Sequence, residues 1–379
     1  MSTQTTELGQ GRQHGIAGMA IVDCDFHNSS GGAFARYLPE RWQQFLQTTG
    51  RRNFDHMGAT TQQRPLACRL DALPPNGGVP GSDTDFAREQ LLDAYGISYA
   101  IMNCLESLAS GGSPVEFEIA HARAVNDYNA AEWLPHDPRW LSSVHVAADH
   151  PEAAAEEIER CHALDSRFVQ VMVSSRSERP QGNPKYWPMF EAAERCGLPV
   201  AFHVANSHYN HWTGAGPTEY YYEVHTFFPL PTQTMVASMV FEGLFDRFPN
   251  LKIVCTELGW EWAVPLGWRM DASWRVLKSE VAHLQRKPSE YLRDHFWFST
   301  QPCVETEDPR DLYEVYQQFS EFGLGDKLLF ATDYPHWDMD SPFEAIPPLL
   351  TPEVKADVLG RNAAALLGLE LDTSSGAQA

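Results

Sequence analysis

The chain has 379 residues, of which 43% are hydrophobic and 12% aromatic, so it can bury a large core and does not have the composition of a disordered protein. With 50 Asp and Glu residues against 28 Lys and Arg residues, the formal net charge is -22, which argues against nucleic acid, an anionic membrane surface or a polyanionic substrate as partner. No apolar run reaches the roughly 18 residues of a membrane span. The 7 cysteines include no CxxC pair, which predicts reduced thiols in a cytoplasmic protein.

Short apolar runs typical of buried strands alternate with helix-like segments along the chain. Each run is followed by a helical segment, which predicts a parallel sheet, and their number predicts an α/β fold of the (β/α)₈ TIM-barrel type. A doubly wound open sheet is the alternative, but no glycine-rich phosphate turn follows the first strand. The predicted strands are residues 19–25, 98–104, 141–147, 168–175, 198–204, 251–257, 296–302 and 327–333.

The barrel is predicted as one domain, residues 19–368, between flexible tails at 1–18 and 369–379. Two connections, 28–84 after strand 1 and 205–231 after strand 5, are too long to be plain connectors. In a barrel both would lie over the C-terminal mouth, where active sites form. We therefore expect these two insertions to act as lids.

Ionisable side chains stand where four of the predicted strands end. The first strand ends in Asp25, Phe26 and His27, His203 lies near the end of the fifth, Glu257 ends the sixth and Asp333 ends the eighth. The Asp of a lone Asp-x-Pro usually caps a turn, and a lone His in an apolar strand is usually structural. Five such groups at the strand ends of a barrel predict one shared site at its mouth.

Two imidazoles and two carboxylates suit a borderline divalent metal such as Zn²⁺ or Mn²⁺. Asp25 and Asp333 would neutralise the charge of the ion and leave a position for water or substrate. We expect one divalent ion, with zinc ranked first and manganese or iron as alternatives. Such an ion can acidify bound water and polarise a carbonyl group. The alternative interpretation is a structural ion-pair cluster.

The D-x-H of the first strand, the histidine of AFHV and the segment TDYPHWD at the eighth strand resemble the amidohydrolase superfamily. The resemblance is closest to its amidohydrolase-2 branch, which includes aminocarboxymuconate semialdehyde decarboxylase, and YLPERW and FDRFPNLKIV extend it over most of the chain. It implies a barrel with one metal, a homodimer, and Asp25, His27, His203 and Asp333 as metal ligands. The fourth strand lacks the lysine of binuclear members, and Glu257 stands where branch decarboxylases carry a histidine.

Further site residues are predicted outside the ligand positions. Glu257 and His225, the latter in the run YYYEVH, are the candidates for general acid or base. A surface-loop histidine is the alternative for His225. His336 and Trp337 follow the last strand and are predicted to contact substrate, and Arg51 in the first insertion is a candidate for binding a substrate carboxylate.

Because the sixth strand ends in a carboxylate, we rank a metal-dependent hydrolase first, with a metal-activated water that Glu257 or His225 helps to deprotonate. The alternative is a non-oxidative decarboxylase of an aromatic or unsaturated acid, or a hydratase, and a buried arginine beside the metal would favour the decarboxylase. A catalytically inert barrel acting as a scaffold is the remaining hypothesis, which the ligand positions disfavour. Aromatic residues of the second insertion favour a small, partly aromatic substrate: Tyr220, Tyr221, Tyr222, Phe227 and Phe228.

Overall fold

The structure, a computed structural model, describes residues 16, 18–49, 67–104, 106, 113–175, 177–204, 216, 218–304 and 306–371. Eight parallel strands form one sheet in which the strands are neighbours in chain order, so the predicted (β/α)₈ barrel is confirmed. Each strand overlaps the range predicted for it. The strands are β1 Val22–Phe26, β2 Tyr99–Met102, β3 Trp140–His145, β4 Phe168–Ser174, β5 Val200–His203, β6 Ile253–Thr256, β7 Phe296–Ser299 and β8 Leu328–Leu329.

At least one helix follows every strand. Local sequence explains several of their ends: Pro151 begins one helix, and Gly197, with φ of 69°, ends the next in the left-handed conformation that glycine adopts easily. The helices are α1 Glu40–Thr49, α2 Thr84–Ala87, α3 Val115–Tyr128, α4 Pro151–Leu164, α5 Trp187–Cys196, α6 Tyr221–Thr226, α7 Pro229–Phe241, α8 Leu244–Arg247, α9 Ala263–Leu277, α10 Pro288–His295, α11 Pro309–Phe319, α12 Pro352–Ala356 and α13 Asn362–Leu367.

The barrel closes between its first and last strands. The backbone N–H of Cys24 donates to the carbonyl oxygen of Phe330 at 3.0 Å. Beside it, the buried Asp23 carboxylate accepts hydrogen bonds from the backbone N–H of Thr332 at 2.9 Å and from its hydroxyl at 2.6 Å. These bonds fix β1 against the segment after β8, which are the two segments that carry three of the predicted ligands.

Apolar side chains fill the lower half of the barrel and leave its C-terminal end to polar groups. Each strand contributes one or two inner residues, and Ala363 and Leu366 of α13 close the opposite end. Burying such a side chain stabilises the fold by roughly 1.5–3 kcal/mol. The inner layer consists of Val22, Cys24, Ile101, Leu141, Val169, Met172, Ala201, Val254, Trp297 and Leu329.

The two insertions are only partly described. Helix α1 and a short 3-10 turn at Leu70–Ala72 lie in the first, and α6 lies in the second. The predicted tails fall largely outside the described residues, although Leu369 and Leu371 pack partly against the inner layer. All cysteines are free of disulfide bonds. Within the described ranges, none of the helices has both the length and the hydropathy to cross a membrane.

Gly360 provides a test of the packing between the last helices and β1. A methyl group at Gly360 would overlap the backbone carbonyl oxygen of Ala20, which lies two residues before the start of β1. Helix propensity alone predicts that Gly360→Ala stabilises the chain by about 1 kcal/mol, whereas the overlap costs about 1–3 kcal/mol or more because backbone must move. We expect a lower urea midpoint for Gly360→Ala. The exposed Ala365→Gly, which reports propensity alone, is the control, and a raised midpoint for Gly360→Ala would contradict the packing.

Candidate metal centre at the barrel mouth

A bulge in β1 directs two side chains into the barrel. The pairing of β1 with β2 shifts register between Asp23 and Phe26. The Phe26 ring stacks on Trp140 at 4.6 Å in the layer between sheet and helices. Because side chains alternate along a strand, Asp25 and His27 on either side of it point to the interior. This is the same-side arrangement that their two-residue spacing predicts.

Two carboxylates follow strands in a strained backbone conformation. Glu257 after β6 has φ of 56° and Asp333 after β8 has φ of 60°, in the left-handed region. Such a conformation costs on the order of 1–3 kcal/mol and persists only where surrounding contacts fix it. The N–H of Glu257 donates to the hydroxyl of Ser299 at 2.9 Å, and the N–H of Asp333 donates to the carbonyl oxygen of Asp25 at 2.9 Å. Both carboxylates are thereby turned towards the same point.

The structure brings all five strand-end residues together. One ligand atom from each of Asp25, His27, His203, Glu257 and Asp333 lies within 4.8 Å of the others, and all five residues are buried. His27 Nε2 is 2.9 Å from Asp333 Oδ1, and His203 Nε2 is 3.0 Å from Glu257 Oε2 and 3.3 Å from Asp25 Oδ2. Glu257 therefore belongs to the same group of atoms as the four positions predicted as ligands.

The hydrogen bonds of the two histidines fit a cation at the centre of this group. Each ring uses Nδ1 to donate to a backbone carbonyl: His27 to Asn103 at 2.7 Å and His203 to Val204 at 2.5 Å. Each Nε2 therefore presents a lone pair to the cluster, and the two Nε2 atoms are 3.1 Å apart. Asp25 Oδ2 and Glu257 Oε2 are buried without a hydrogen-bond partner. Four lone-pair atoms facing one another in a buried site need positive charge between them.

The pKa shifts express the same electrostatic imbalance. Burial, followed by the charge of Asp333, raises the pKa of Glu257 to about 7. Burial also raises the pKa of Asp25, but the imidazoles of His27 and His203 outweigh it and hold that pKa below its usual value. Burial lowers the pKa of His203, but the negative charges of Asp25 and Glu257 raise it by more, so the net pKa is well above its usual value. The cluster attracts either a proton or a metal cation, and a divalent ion compensates more charge.

His336 extends the cluster towards the mouth. Its Nδ1 is 2.6 Å from Asp333 Oδ1, and its ring lies 4.8 Å from the ring of His27. Burial lowers the pKa of His336, but the neighbouring Asp333 carboxylate raises it to about 9. The Asp333 carboxylate thus favours the charged form of His336, which is one residue before the half-exposed Trp337.

The second insertion contacts the same segment through His225 of α6. His225 Nε2 is 2.7 Å from Asp338 Oδ2. The side-chain amide of Gln301 donates to Asp338 Oδ2 and to Asp333 Oδ2, both at 3.1 Å, which connects His225 to the cluster. The ring of His225 is 5.5 Å from Trp337, so the predicted lid histidine and the predicted pocket tryptophan are neighbours.

His225 and Trp337 form part of a wall of aromatic side chains at the barrel mouth, which Tyr221 and Phe228 complete. The indole N–H of Trp337 donates to the hydroxyl of Tyr221 at 3.2 Å, and the ring of Phe228 lies 5.1 Å from His225. Tyr220 and Tyr222, by contrast, are largely exposed. Only part of the aromatic run predicted to face substrate therefore contributes to the wall.

Sequence reasoning missed several polar residues at this end of the barrel. Asn103 and His145 lie at the ends of β2 and β3, and Gln301 follows β7. The strand-end argument would have found Asn103 and Gln301 had it been extended to neutral side chains, and His145 had it been applied to the third strand. Arg51 lies outside the described residues, and its predicted contact with substrate stays a prediction.

Two curated proteins are similar to this chain in sequence. The gamma-resorcylate decarboxylase of Rhizobium sp. (strain MTP-10005) is 26% identical over 274 residues, which cover 68% of this chain and 79% of the relative. The 2-amino-3-carboxymuconate-6-semialdehyde decarboxylase of Dictyostelium discoideum is 24% identical over 262 residues, which cover 66% of this chain and 67% of the relative.

The fold has close counterparts among solved structures. A dihydroxybenzoic acid decarboxylase from Polaromonas sp. JS666, solved with bound manganese and the inhibitor 2-nitroresorcinol, superposes with a TM-score of 0.63 at 20% identity and covers 94% of this chain and 99% of that one. A family model described as amidohydrolase matches residues 22–369, from β1 to beyond α13. The chain belongs to this amidohydrolase family and is an enzyme, a metal-dependent hydrolase or carboxy-lyase.

Proposed function

We propose that the protein is a metal-dependent decarboxylase that removes CO₂ from an aromatic carboxylic acid without an oxidant. The sequence ranks hydrolysis first and decarboxylation second. We reverse that order because the named activity of the curated relatives reported above is decarboxylation in each case. Hydrolysis remains the second candidate, favoured by Glu257, whose pKa of about 7 suits a general base.

The observation that carries the proposal is a buried metal-ligand cluster beside a wall of aromatic rings. The cluster would take the charged end of a substrate, and the wall formed by His225, Phe228, Tyr221 and Trp337 suits the flat ring of an aromatic acid. His336 joins the two, because it contacts Asp333 and is the residue before Trp337.

The protein must supply a proton to the ring carbon that bears the carboxylate. Protonation of that carbon, cleavage of its bond to the carboxylate and return of the bonding electron pair to the ring release CO₂ and need no redox partner. Burial lowers the pKa of His225, but the Asp338 carboxylate raises it, with contributions from Glu257 and Asp333, to a net value above normal. We propose the His225 imidazolium, stabilised by Asp338, as the proton donor.

The ion would be held by the five residues of the cluster, which are Asp25, His27, His203, Glu257 and Asp333. A bound divalent cation would attract the carboxylate and any phenolic oxygen of the substrate. Three carboxylates and two imidazoles exceed the four ligands of a typical zinc site and suit manganese better. We therefore propose Mn²⁺, which the Polaromonas enzyme binds, in place of the zinc ranked first from sequence. Glu257 then acts as a fifth ligand, not as the general base.

A buried arginine beside the metal would favour the decarboxylase, but no arginine is among the fully buried residues in the described part of the chain. Recognition of the substrate carboxylate then rests on the cation and on His336, with Arg51 a further candidate. The homodimer also stays a prediction.

The ligand assignment predicts the metal content of purified protein. Elemental analysis should find about one metal per chain, as in mononuclear sites, and little or none in Asp333→Ala. Glu257→Gln should bind Mn²⁺ at least about tenfold more weakly, because it removes one anionic ligand. Asp340→Asn is the matched control, since Asp340 lies in the same segment but bonds to the N–H of Cys303. Full metal content in both cluster variants would contradict the assignment.

The reaction itself is tested with 2,6-dihydroxybenzoate and related hydroxybenzoates under anaerobic conditions. We expect one CO₂ for each phenol formed, and in D₂O one deuterium on the carbon that carried the carboxylate. Asp333→Ala should release none. Hydrolysis of aryl esters or amides at a higher rate, without CO₂ release from any acid, would establish the hydrolase instead.

The role of His225 is tested by its rate and its pH dependence. His225→Gln should lower kcat about 10²–10⁴-fold, the usual contribution of a general acid, with metal content unchanged. Because an acid must be protonated, kcat should fall as pH rises through the pKa of His225, and Asp338→Asn should move that fall to lower pH. The exposed Tyr222→Phe is the control on the same helix. An unchanged kcat in His225→Gln would exclude it as the donor.

A further inference from the structure

We propose that Asn103 is a positioning residue that orients both ligand candidates of β1 and thereby sets the affinity of the metal centre. The inference rests on the metal centre of the proposed function, but no residue role assigned so far includes Asn103. Its test measures metal binding and does not depend on which reaction the enzyme catalyses.

Asn103 contacts both ligands at once. It follows β2 and is fully buried. Its backbone oxygen accepts the hydrogen bond from His27 Nδ1 at 2.7 Å, and its side-chain Nδ2 donates to Asp25 Oδ1 at 2.7 Å. The first bond fixes the histidine tautomer that presents Nε2 to the cluster. The second occupies one carboxylate oxygen of Asp25 and leaves Oδ2, which has no hydrogen-bond partner, for the ion.

The bulge in β1 explains why one residue has this role. Beyond the register shift β1 and β2 pair again at Phe26 and Met102, and there the N–H of Asn103 donates to the carbonyl oxygen of Phe26 at 2.8 Å. Its Nδ2 also lies 3.3 Å from the carbonyl oxygen of Cys24. Asn103 therefore bonds to four consecutive residues of the segment that contains the bulge and its end.

A second set of hydrogen bonds fixes the amide itself. Ser143 Oγ donates to Asn103 Oδ1 at 2.5 Å, and Gln170 Nε2 donates to Ser143 Oγ at 2.9 Å. A flipped amide would place Oδ1 against the Asp25 carboxylate and lose both the attraction and the Ser143 bond. The inner polar residues of β3 and β4 thus keep Nδ2 directed at Asp25.

The physical consequence is an effect on affinity more than on fold. Hydrogen bonds from neighbours to metal ligands fix their orientation, and their loss typically costs about 10–100-fold in metal affinity. Without Nδ2, the Asp25 carboxylate can rotate and its Oδ1 loses its donor, so part of the binding energy is used to order it.

The experiment compares Mn²⁺ binding by metal-free wild type, Asn103→Ala and Asn362→Ala, using titration and the rise in melting temperature at saturating Mn²⁺. Asn362 is also a buried asparagine, but it donates to Leu328 at the opposite end of the barrel. We expect Asn103→Ala to bind about 10–100-fold more weakly and to gain less thermal stability from the metal. Asn362→Ala should lose stability yet bind Mn²⁺ as wild type does.

Ser143→Ala replaces Asn103→Ala if the latter does not fold. It keeps the Asn103 amide but removes the Ser143 hydroxyl that fixes it, together with the bond of that hydroxyl to Gln170, and a smaller loss of affinity is expected. Wild-type affinity in a folded Asn103→Ala, or in Ser143→Ala when the former is unfolded, would overturn the inference while leaving the metal centre in place. Absence of Mn²⁺ binding by wild type would instead overturn the metal centre, and this inference with it.

Discussion

The structure at this end of the barrel depends on one constraint: the lone pairs of several buried oxygen and nitrogen atoms face one another. Three carboxylates and two imidazoles, all buried, place donor atoms within 4.8 Å of one another. The low dielectric of the interior makes such an arrangement unfavourable without a positive charge. A cation is therefore part of the stability of the mouth as well as of its chemistry, and the surrounding structure has to hold the donors in place before the cation binds.

The scaffold does this with local departures from regular structure. A bulge directs Asp25 and His27 inwards, and left-handed backbone at Glu257 and Asp333 turns two carboxylates off the axes of β6 and β8. Each departure is held by hydrogen bonds from a neighbouring strand, with Ser299 supporting Glu257 and Asn103 supporting β1. The free-energy cost of the strained backbone at the strand ends is thus offset by the stability of the regular barrel below them, whose inner layer is apolar.

These departures also mark the limit of what the sequence predicts. The barrel was predictable because its strands are buried on both faces and appear as short apolar runs, and the cluster was predictable because parallel strands end at one rim. The contact of the Glu257 carboxylate with His203 was not, since it depends on a backbone conformation that no sequence pattern specifies. The contact of His225 with Asp338 depends on how a long insertion docks, and Asn103 was overlooked because a neutral side chain carries no obvious chemistry.

The carboxylate after β6 links the metal and the proton source. The resemblance to the amidohydrolase-2 branch places a histidine there in decarboxylases, and exchanging an imidazole for Glu257 has two physical effects. It adds a negative charge beside the ion, which strengthens binding of a hard cation. It also removes an imidazole from a position next to His203. A decarboxylase with Glu257 must therefore take its proton from elsewhere.

Two imidazoles of the described residues face the mouth. His336 contacts Asp333, itself a ligand candidate, whereas His225 contacts Asp338, which Gln301 connects to Asp333. His225 can thus lose and regain a proton with less effect on the ligands than His336, which is why the lid histidine, and not the nearer one, is the better donor.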